Sequence, residues 1–179
     1  VLIFGQAYSL EKYILIAEDG ERQLIQQHLP AISDWEIIVT GVGAINIINA
    51  VRDLPRDAQL INIGYAGSAN YDIGTAVEVT EIRLNHPNVK YAEPELHLMP
   101  LADNLALAGV PAGAIALPAL RSVGYSNCDF VLQSDYKDCV FDMELAFIAS
   151  FGFQHLSAIK LVSDNLSLHA YHELTHGVE

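Results

Sequence analysis

Strand-like runs of valine, isoleucine and leucine alternate with helical segments, and this alternation restricts the fold more than any other feature. The strand-like runs are "YILIA" (13–17), "EIIVTG" (36–41), "QLINIGYAG" (59–67), "AVEVTEIRL" (76–84) and "SAIKLVSD" (157–164), with further apolar runs at 114–123 and 130–134. Helical spacing of apolar residues covers 21–29, 44–54, 142–153 and 167–176. Continuous apolar strands are typical of a sheet buried between helices. The sequence therefore predicts an α/β fold, a three-layer α/β/α arrangement around a central sheet.

The connections predict that this sheet is mixed. Two strands, 59–67 and 76–84, follow each other with only a short Gly-containing link between them. Residues 1–12, which include "VLIFGQA", could add an edge strand. No internal repeat or linker interrupts the 179 residues, so we expect residues 1–179 to form a single domain.

Charge and composition exclude several classes of function. The net charge is −13, which repels phosphate backbones and anionic membranes, so no nucleic acid or membrane partner is expected. No apolar run approaches the roughly 20 residues that span a bilayer, and the opening residues lack the basic segment of a signal peptide. Cys128 and Cys139 are the two cysteines, which favours reduced thiols in a cytoplasm.

Unusual polar and glycine-rich stretches follow three of the strands. They are "TGVGAIN" (40–46), "GYAGSAN" (64–70) and "SDNLS" (163–167). In open α/β sheets, ligands bind at the carboxyl ends of the strands. Glycines such as Gly43 and Gly64 would let the backbone approach a ligand closely. The joint placement of these stretches predicts a ligand site at one edge of the sheet.

Two carboxylates stand out, and each has two interpretations. Asp164 ends a buried strand just before a helix, where it would either cap the helix or donate a proton as a general acid. Glu144 lies in an apolar segment, in the first turn of a predicted helix. It would either complement the helix dipole or bind a ligand with hydroxyl groups, such as a sugar diol.

Four motifs in this order resemble the signatures of the nucleoside phosphorylase/nucleosidase superfamily. They are "VTGVGAIN", "LINIGYAGSANYDIGTAVEV", "FDMELAFIASF" and "IKLVSDNLS". The resemblance runs from about residue 13 to residue 167 and is strongest to the 5′-methylthioadenosine/S-adenosylhomocysteine nucleosidases. The chain resembles a shortened form, because it lacks a strand hairpin after the first helix and a long last helix. It also lacks the second acid of the family's Ser-Asp motif.

The resemblance implies a role for each matching residue. Glu144 would bind the ribose 2′- and 3′-hydroxyls, with Met143 against the sugar, and Asp164, positioned by Ser163, would protonate the purine N7. Glu21 would activate the nucleophilic water, with Glu11 as the alternative in another register. The remaining implied contacts are Phe130 and Val131 at the base, and Gly43 and Gly64 along the ligand.

The resemblance implies that the chain would be a homodimeric N-glycosidase that hydrolyses a purine nucleoside in methionine salvage, without a metal or organic cofactor. The first alternative is a phosphate-dependent phosphorylase. None of the five arginines directly precedes "TGVG", and a phosphate dianion without arginine partners binds poorly, so water is favoured. The second alternative is a nucleoside-binding homologue without catalytic activity.

A competing motif, "HELTH" (172–176), has the His-Glu-x-x-His spacing of zinc hydrolases. His172 and His176 would be the zinc ligands, and His169 lies one turn earlier on the same helix face. The other interpretation is a polar face of a terminal helix that carries histidines by chance. Because a terminal helix frays, the sequence favours the polar face and no metal is expected.

Overall fold

The structure, a computed structural model, describes residues 10–85 and 96–176, with side chains up to residue 172 in the last helix. The strands are β1 (Lys12–Ile16), β2 (Glu36–Val39), β3 (Gln59–Gly67), β4 (Ala76–Leu84), β5 (Leu96–His97), β6 (Leu120–Ser126), β7 (Cys139–Asp142) and β8 (His155–Asp164). The α-helices are α1 (Arg22–His28), α2 (Ala44–Val51), α3 (Leu101–Leu107), α4 (Leu145–Ala149) and α5 (Leu168–His176). Short 3₁₀ turns lie at Asp19–Glu21 and Pro30–Ile32.

The strands form one mixed sheet that closes on itself. Strands β2, β1, β3 and β8 run parallel in that order, and β4 pairs antiparallel with β8. Strand β6 lies parallel to β4, β7 lies parallel to β6, and β7 returns to β3 through the pair Gly67 and Phe141. Five strands, β3, β8, β4, β6 and β7, therefore make a closed ring, with β1 and β2 extending the sheet on one side.

Helices cover both faces of the sheet. Side chains alternate along β3, so that Leu60 packs toward α2 and α4 while Ile61 packs toward α1 and α3. Each face buries its own cluster of aliphatic side chains. The predicted α/β class and mixed sheet are confirmed. None of the helices in the described residues has the length and apolar character needed to cross a bilayer.

Several local predictions were wrong. The run 130–134 forms no strand, and the strand in this region is β7 instead. The helix expected over 142–153 covers only α4, because the Asp142 carboxylate caps it at the Leu145 N–H and Gly152 leaves the helical region with φ +71°. The apolar run 114–123 enters the sheet only from Leu120, and α3 and β5 were missed. The edge strand considered for residues 1–12 lies outside the described residues as far as residue 9.

Candidate active site

A cavity of about 350 Å³ opens at the carboxyl ends of β1, β2, β3, β7 and β8. Its lining residues come from these strand ends, from the loop between β6 and β7, and from α5. They are Ala17, Glu18, Glu21, Val42, Tyr65, Ala66, Gly67, Asp129, Phe130, Val131, Phe141, Asp142, Met143, Glu144, Ser163, Asp164, Leu166, Tyr171 and His172. This is the edge of the sheet at which an α/β fold places its ligands.

Glu21 enters the cavity from the 3₁₀ turn after β1. Its Oε2 accepts hydrogen bonds from the backbone N–H groups of Ala17 (2.6 Å) and Glu18 (3.2 Å), and its Oε1 accepts one from Tyr65 (2.9 Å). Burial raises the pKa of Glu21, and the nearby Lys160 and these N–H donors oppose the rise. The carboxylate is therefore held in one orientation between two strand ends.

Glu144 lies at the N-cap of α4, one position before the helix, and not in its first turn as expected. Its Oε1 accepts from the Gly43 N–H at 3.3 Å and its Oε2 from the Met143 N–H at 3.2 Å. Both bonds are long, so the carboxylate keeps acceptor capacity for a ligand. Burial raises its pKa to about 7, the negative charge of Asp142 adds to the rise, and Lys160 opposes it.

Asp164 ends β8 and is almost completely buried. Its Oδ2 accepts the Ser163 hydroxyl at 2.7 Å, and its Oδ1 accepts the Ser167 N–H at 3.2 Å, just before α5. The structure is compatible with both interpretations of Asp164, as a helix cap and as a general acid. Its side chain binds the start of α5 and also lines the cavity. An ideal Cβ on Gly67 would lie 2.9 Å from Asp164 Oδ1, so a larger residue there would displace this carboxylate.

Lys160 is a buried cation beneath this group of acids. Its Nζ lies 2.7 Å from Asp142 Oδ2, and both side chains are 2% exposed. Burial alone would lower the pKa of Lys160, but attraction to Asp142, Glu144 and Glu21 outweighs it and the pKa is raised. Asp142 also accepts the Ser126 hydroxyl and the Leu145 N–H at 3.1 Å. The ion pair thereby fixes the start of α4, where Glu144 lies.

Aromatic rings form another wall of the cavity. Phe130 meets Tyr171 edge to face, with 5.6 Å between the ring centroids, and Tyr171 lies 5.7 Å from the ring of His172. Val131 and Leu166 add apolar surface. The cavity thus combines a carboxylate-rich end with an apolar, aromatic end, which suits a flat ring joined to a polyhydroxyl group.

The arrangement of strands and helices is similar to that of several solved nucleosidase structures. A 5′-methylthioadenosine/S-adenosylhomocysteine nucleosidase from Colwellia psychrerythraea, in complex with adenine, has a TM-score of 0.66 and 18% identity over 95% of this chain and 90% of its own. An S-adenosylhomocysteine nucleosidase from Streptococcus pyogenes, in complex with 5-methylthiotubericidin, has a TM-score of 0.68 and 17% identity, covering 96% and 92%. The futalosine hydrolase of Helicobacter pylori has a TM-score of 0.64 and 16% identity, covering 93% and 91%.

The chain has the fold of these nucleosidases. The nucleoside phosphorylase-like fold predicted from the motifs is therefore confirmed. No protein-family model matches the sequence, and no curated protein matches it either.

Within the nucleosidase fold, most of the predicted site residues meet at the cavity. Glu21, Phe130, Val131, Met143, Glu144, Ser163 and Asp164 all line it. Glu11 does not, because it is exposed and accepts the Tyr13 hydroxyl at 2.6 Å. Gly43 and Gly64 do not line the cavity, but each contacts a carboxylate that does. The Gly43 N–H donates to Glu144, and Gly64 packs against Glu21.

Sequence reasoning missed the ion pair of Lys160 and Asp142. The signal was present, because Lys160 is the one charged residue inside the apolar strand "SAIKLV" and Asp142 lies in another apolar run. A charge in such a run requires a buried partner. No local sequence pattern indicated that the cavity would be lined by Tyr65, Asp129 and Tyr171.

The zinc motif is only partly covered by the structure. His172 lines the cavity, whereas the side chains of residues 173–176 lie outside the described part of the chain. Among the described side chains, no three His, Cys, Asp or Glu residues are grouped so that they could hold a metal ion.

The pKa of Glu144 predicts a stability that depends on pH. Because burial raises the pKa of Glu144 to about 7, the folded state keeps its proton up to about pH 7, whereas the unfolded chain loses it near the usual pKa of 4.5. The folded state is therefore favoured below this window and loses free energy as pH rises through it. At 1.36 kcal/mol per pKa unit, the loss between pH 5 and pH 8 is about 2–3 kcal/mol. Urea unfolding across this range should show a smaller loss in Glu144→Gln, and parallel curves for the two proteins would contradict the shift.

Gly64→Ala should displace the Glu21 carboxylate. An ideal Cβ at this position lies 2.7 Å from Glu21 Oε1, which is too close for the present geometry. We expect a loss of about 1–3 kcal/mol in the free energy of unfolding. Gly20→Ala is the matched control, because a Cβ there meets nothing within 4 Å. Equal unfolding free energies for both variants would be inconsistent with this packing.

Proposed function

We propose that this chain hydrolyses the N-glycosidic bond of a purine nucleoside of the methylthioadenosine/S-adenosylhomocysteine type and releases the free base. The observation that carries the proposal is the convergence of Glu21, Glu144 and Asp164 on one cavity beside the Phe130 ring. These carboxylates come from three separate strand ends, so only the tertiary fold brings them together. The adenine held by the Colwellia psychrerythraea nucleosidase of the same fold supports a purine ligand.

The residues divide the reaction between the two ends of the cavity. Glu144 binds the ribose diol, and Phe130 packs against the purine. As the bond between C1′ and the purine N9 breaks, positive charge builds on the ribose and negative charge on the base. A protonated Asp164 gives its proton to the purine N7, while Glu21 takes a proton from the water that bonds to C1′. Ser163, at 2.7 Å from Asp164, holds the acid in place.

The cavity is better suited to water than to phosphate as the nucleophile. None of the five arginines lines it, and each is occupied elsewhere. Arg22, Arg52, Arg83 and Arg121 pair with neighbouring carboxylates, and Arg56 lies over the rings of Phe151 and Phe153. A phosphate dianion would enter without the bidentate arginine contacts that hold such groups.

Release of adenine from methylthioadenosine, measured with and without phosphate, tests the proposal. Release at the same rate in both conditions is expected. Release that requires phosphate would assign a phosphorylase instead. Tight binding with no release would assign a nucleoside-binding protein, and neither binding nor release would refute the function.

We further propose that the chain acts as a homodimer, with the exposed face of α2 as the contact. Ile45 is 76% exposed and Ile48 is 42% exposed, and Val39 and Val42 continue the apolar surface to the cavity rim. A second copy of the chain would cover this surface. Sedimentation equilibrium should give a dimer for the native chain and a weakened dimer for Ile45→Glu. Gln27→Glu is the control, because Gln27 is exposed on α1, which packs on the opposite face of the sheet from α2. A monomer for the native chain would rule out the dimer.

A further inference from the structure

The walls of the cavity carry acids and almost no cations. Six of the lining residues are acidic, namely Glu18, Glu21, Asp129, Asp142, Glu144 and Asp164. Among the described residues, no lysine or arginine lines the cavity, and His172 is the one lining side chain that can become a cation. Two of the acids, Glu18 and Asp129, have no part in the reaction proposed above.

The nearest buried cation is already neutralised. Lys160 lies 2.7 Å from Asp142, so this pair adds little net charge to the cavity. The proposed reaction uses Asp164 in its protonated form, and the raised pKa of Glu144 leaves it partly protonated at neutral pH. The carboxylates of Glu18, Glu21 and Asp129 are therefore the charges left to act on a ligand in the cavity.

We propose that this cavity accepts purine nucleosides with a neutral or positively charged 5′ substituent and rejects those with a negatively charged one. This inference rests on the proposed function and narrows its substrate class. One carboxylate about 8 Å from an anionic group weakens binding by roughly 2-fold to 30-fold, for dielectric constants between those of water and a protein surface. Several carboxylates around one cavity reinforce one another, and no arginine compensates for them. Nucleoside 5′-phosphates are therefore excluded by charge and not only by size.

Two ligands of nearly equal size separate charge from shape. Adenosine 5′-monophosphate carries a negative 5′ group, and 5′-O-sulfamoyladenosine carries an uncharged group of similar volume. Titration calorimetry measures the dissociation constant of each for the Asp164→Asn variant, which is expected not to cleave them. We expect the phosphate to bind at least about 10-fold more weakly than the sulfamate. This ratio of the two dissociation constants should shrink as the salt concentration is raised. The cationic 5′-amino-5′-deoxyadenosine should bind as tightly as methylthioadenosine or more tightly.

Asp129 provides the variant that assigns the effect to the cavity. Asp129→Asn removes one exposed charge beside Phe130, so the fold should be retained and the ratio should fall by roughly 3-fold. Asp34→Asn is the control, because Asp34 is exposed in the turn before β2, at the opposite end of the strands, and should leave the ratio unchanged.

The outcomes distinguish this inference from the proposed function. Equal affinity for the phosphate and the sulfamate would overturn the charge preference while leaving a nucleoside site in place. A ratio that does not respond to salt or to Asp129→Asn would also overturn it, because size would then account for the difference. Failure of every uncharged nucleoside to bind would overturn both proposals.

Discussion

Asp164→Asn should lower the turnover of methylthioadenosine by about 10²–10⁴-fold, the contribution of a positioned general acid. Asparagine has almost the same shape but has no proton to give to the purine N7. Its side-chain oxygen can still accept the Ser167 N–H, and the Ser163 hydroxyl can turn fully to the Ala66 carbonyl, which lies 3.3 Å away. The fold should therefore survive with a loss of about 1 kcal/mol in unfolding free energy.

Single-turnover release of adenine and urea unfolding together check this result. Asp34→Asn makes the same chemical change at an exposed position and should alter neither measurement. If Asp164→Asn kept more than about a tenth of the native turnover, Asp164 would not be the acid. If both activity and the unfolding transition were lost, a structural role for Asp164 would account for the effect.

Lys160→Met should cost about 3–5 kcal/mol of unfolding free energy, because it leaves the Asp142 carboxylate buried without its cation. The two groups lie 2.7 Å apart and are each 2% exposed, so water cannot replace the ammonium. The carboxylate would keep the Ser126 hydroxyl and the Leu145 N–H, which hold the start of α4. Those two bonds do not offset the lost charge pairing.

A double-mutant cycle separates the ion pair from simple packing. Asp142→Asn in the Lys160→Met background removes the uncompensated charge and should recover most of the loss. Lys137→Met is the surface control and should stay within about 0.5 kcal/mol of the native chain. A Lys160→Met variant that loses less than about 1 kcal/mol would show that the pair does not carry this stability.

Local sequence patterns were sufficient to predict the strands and helices in which apolar residues repeat regularly. Strands β1, β3, β4 and β8 and helix α5 lie close to their expected places, because their apolar residues repeat over long runs. The same reasoning was wrong around β7 and α4. There a short apolar stretch, 139–150, holds both a strand and a helix, and the hydrogen bond from the Leu145 N–H to Asp142 determines where the helix begins.

The residues of the candidate site can also be divided into those that the sequence predicts and those that it does not. The types of its acids and their positions after strands could be predicted from the sequence, and Glu21, Glu144 and Asp164 were named from it. Their neighbours could not be predicted, because Lys160 and Asp142, or Asp129 and Tyr171, are brought together by contacts between distant parts of the chain.

The sequence by itself determined the α/β class, the mixed sheet and the carboxylates available at the strand ends, because hydrophobic periodicity and residue type are local properties. Only the tertiary structure decided how the strands close into a ring, which glycines contact which carboxylates, and where the buried lysine finds its partner. The physical reason is that the charge and pKa of a buried group depend on all neighbours within a few ångströms. In this fold those neighbours come from parts of the chain up to about a hundred residues apart, as Gly43 and Glu144 do.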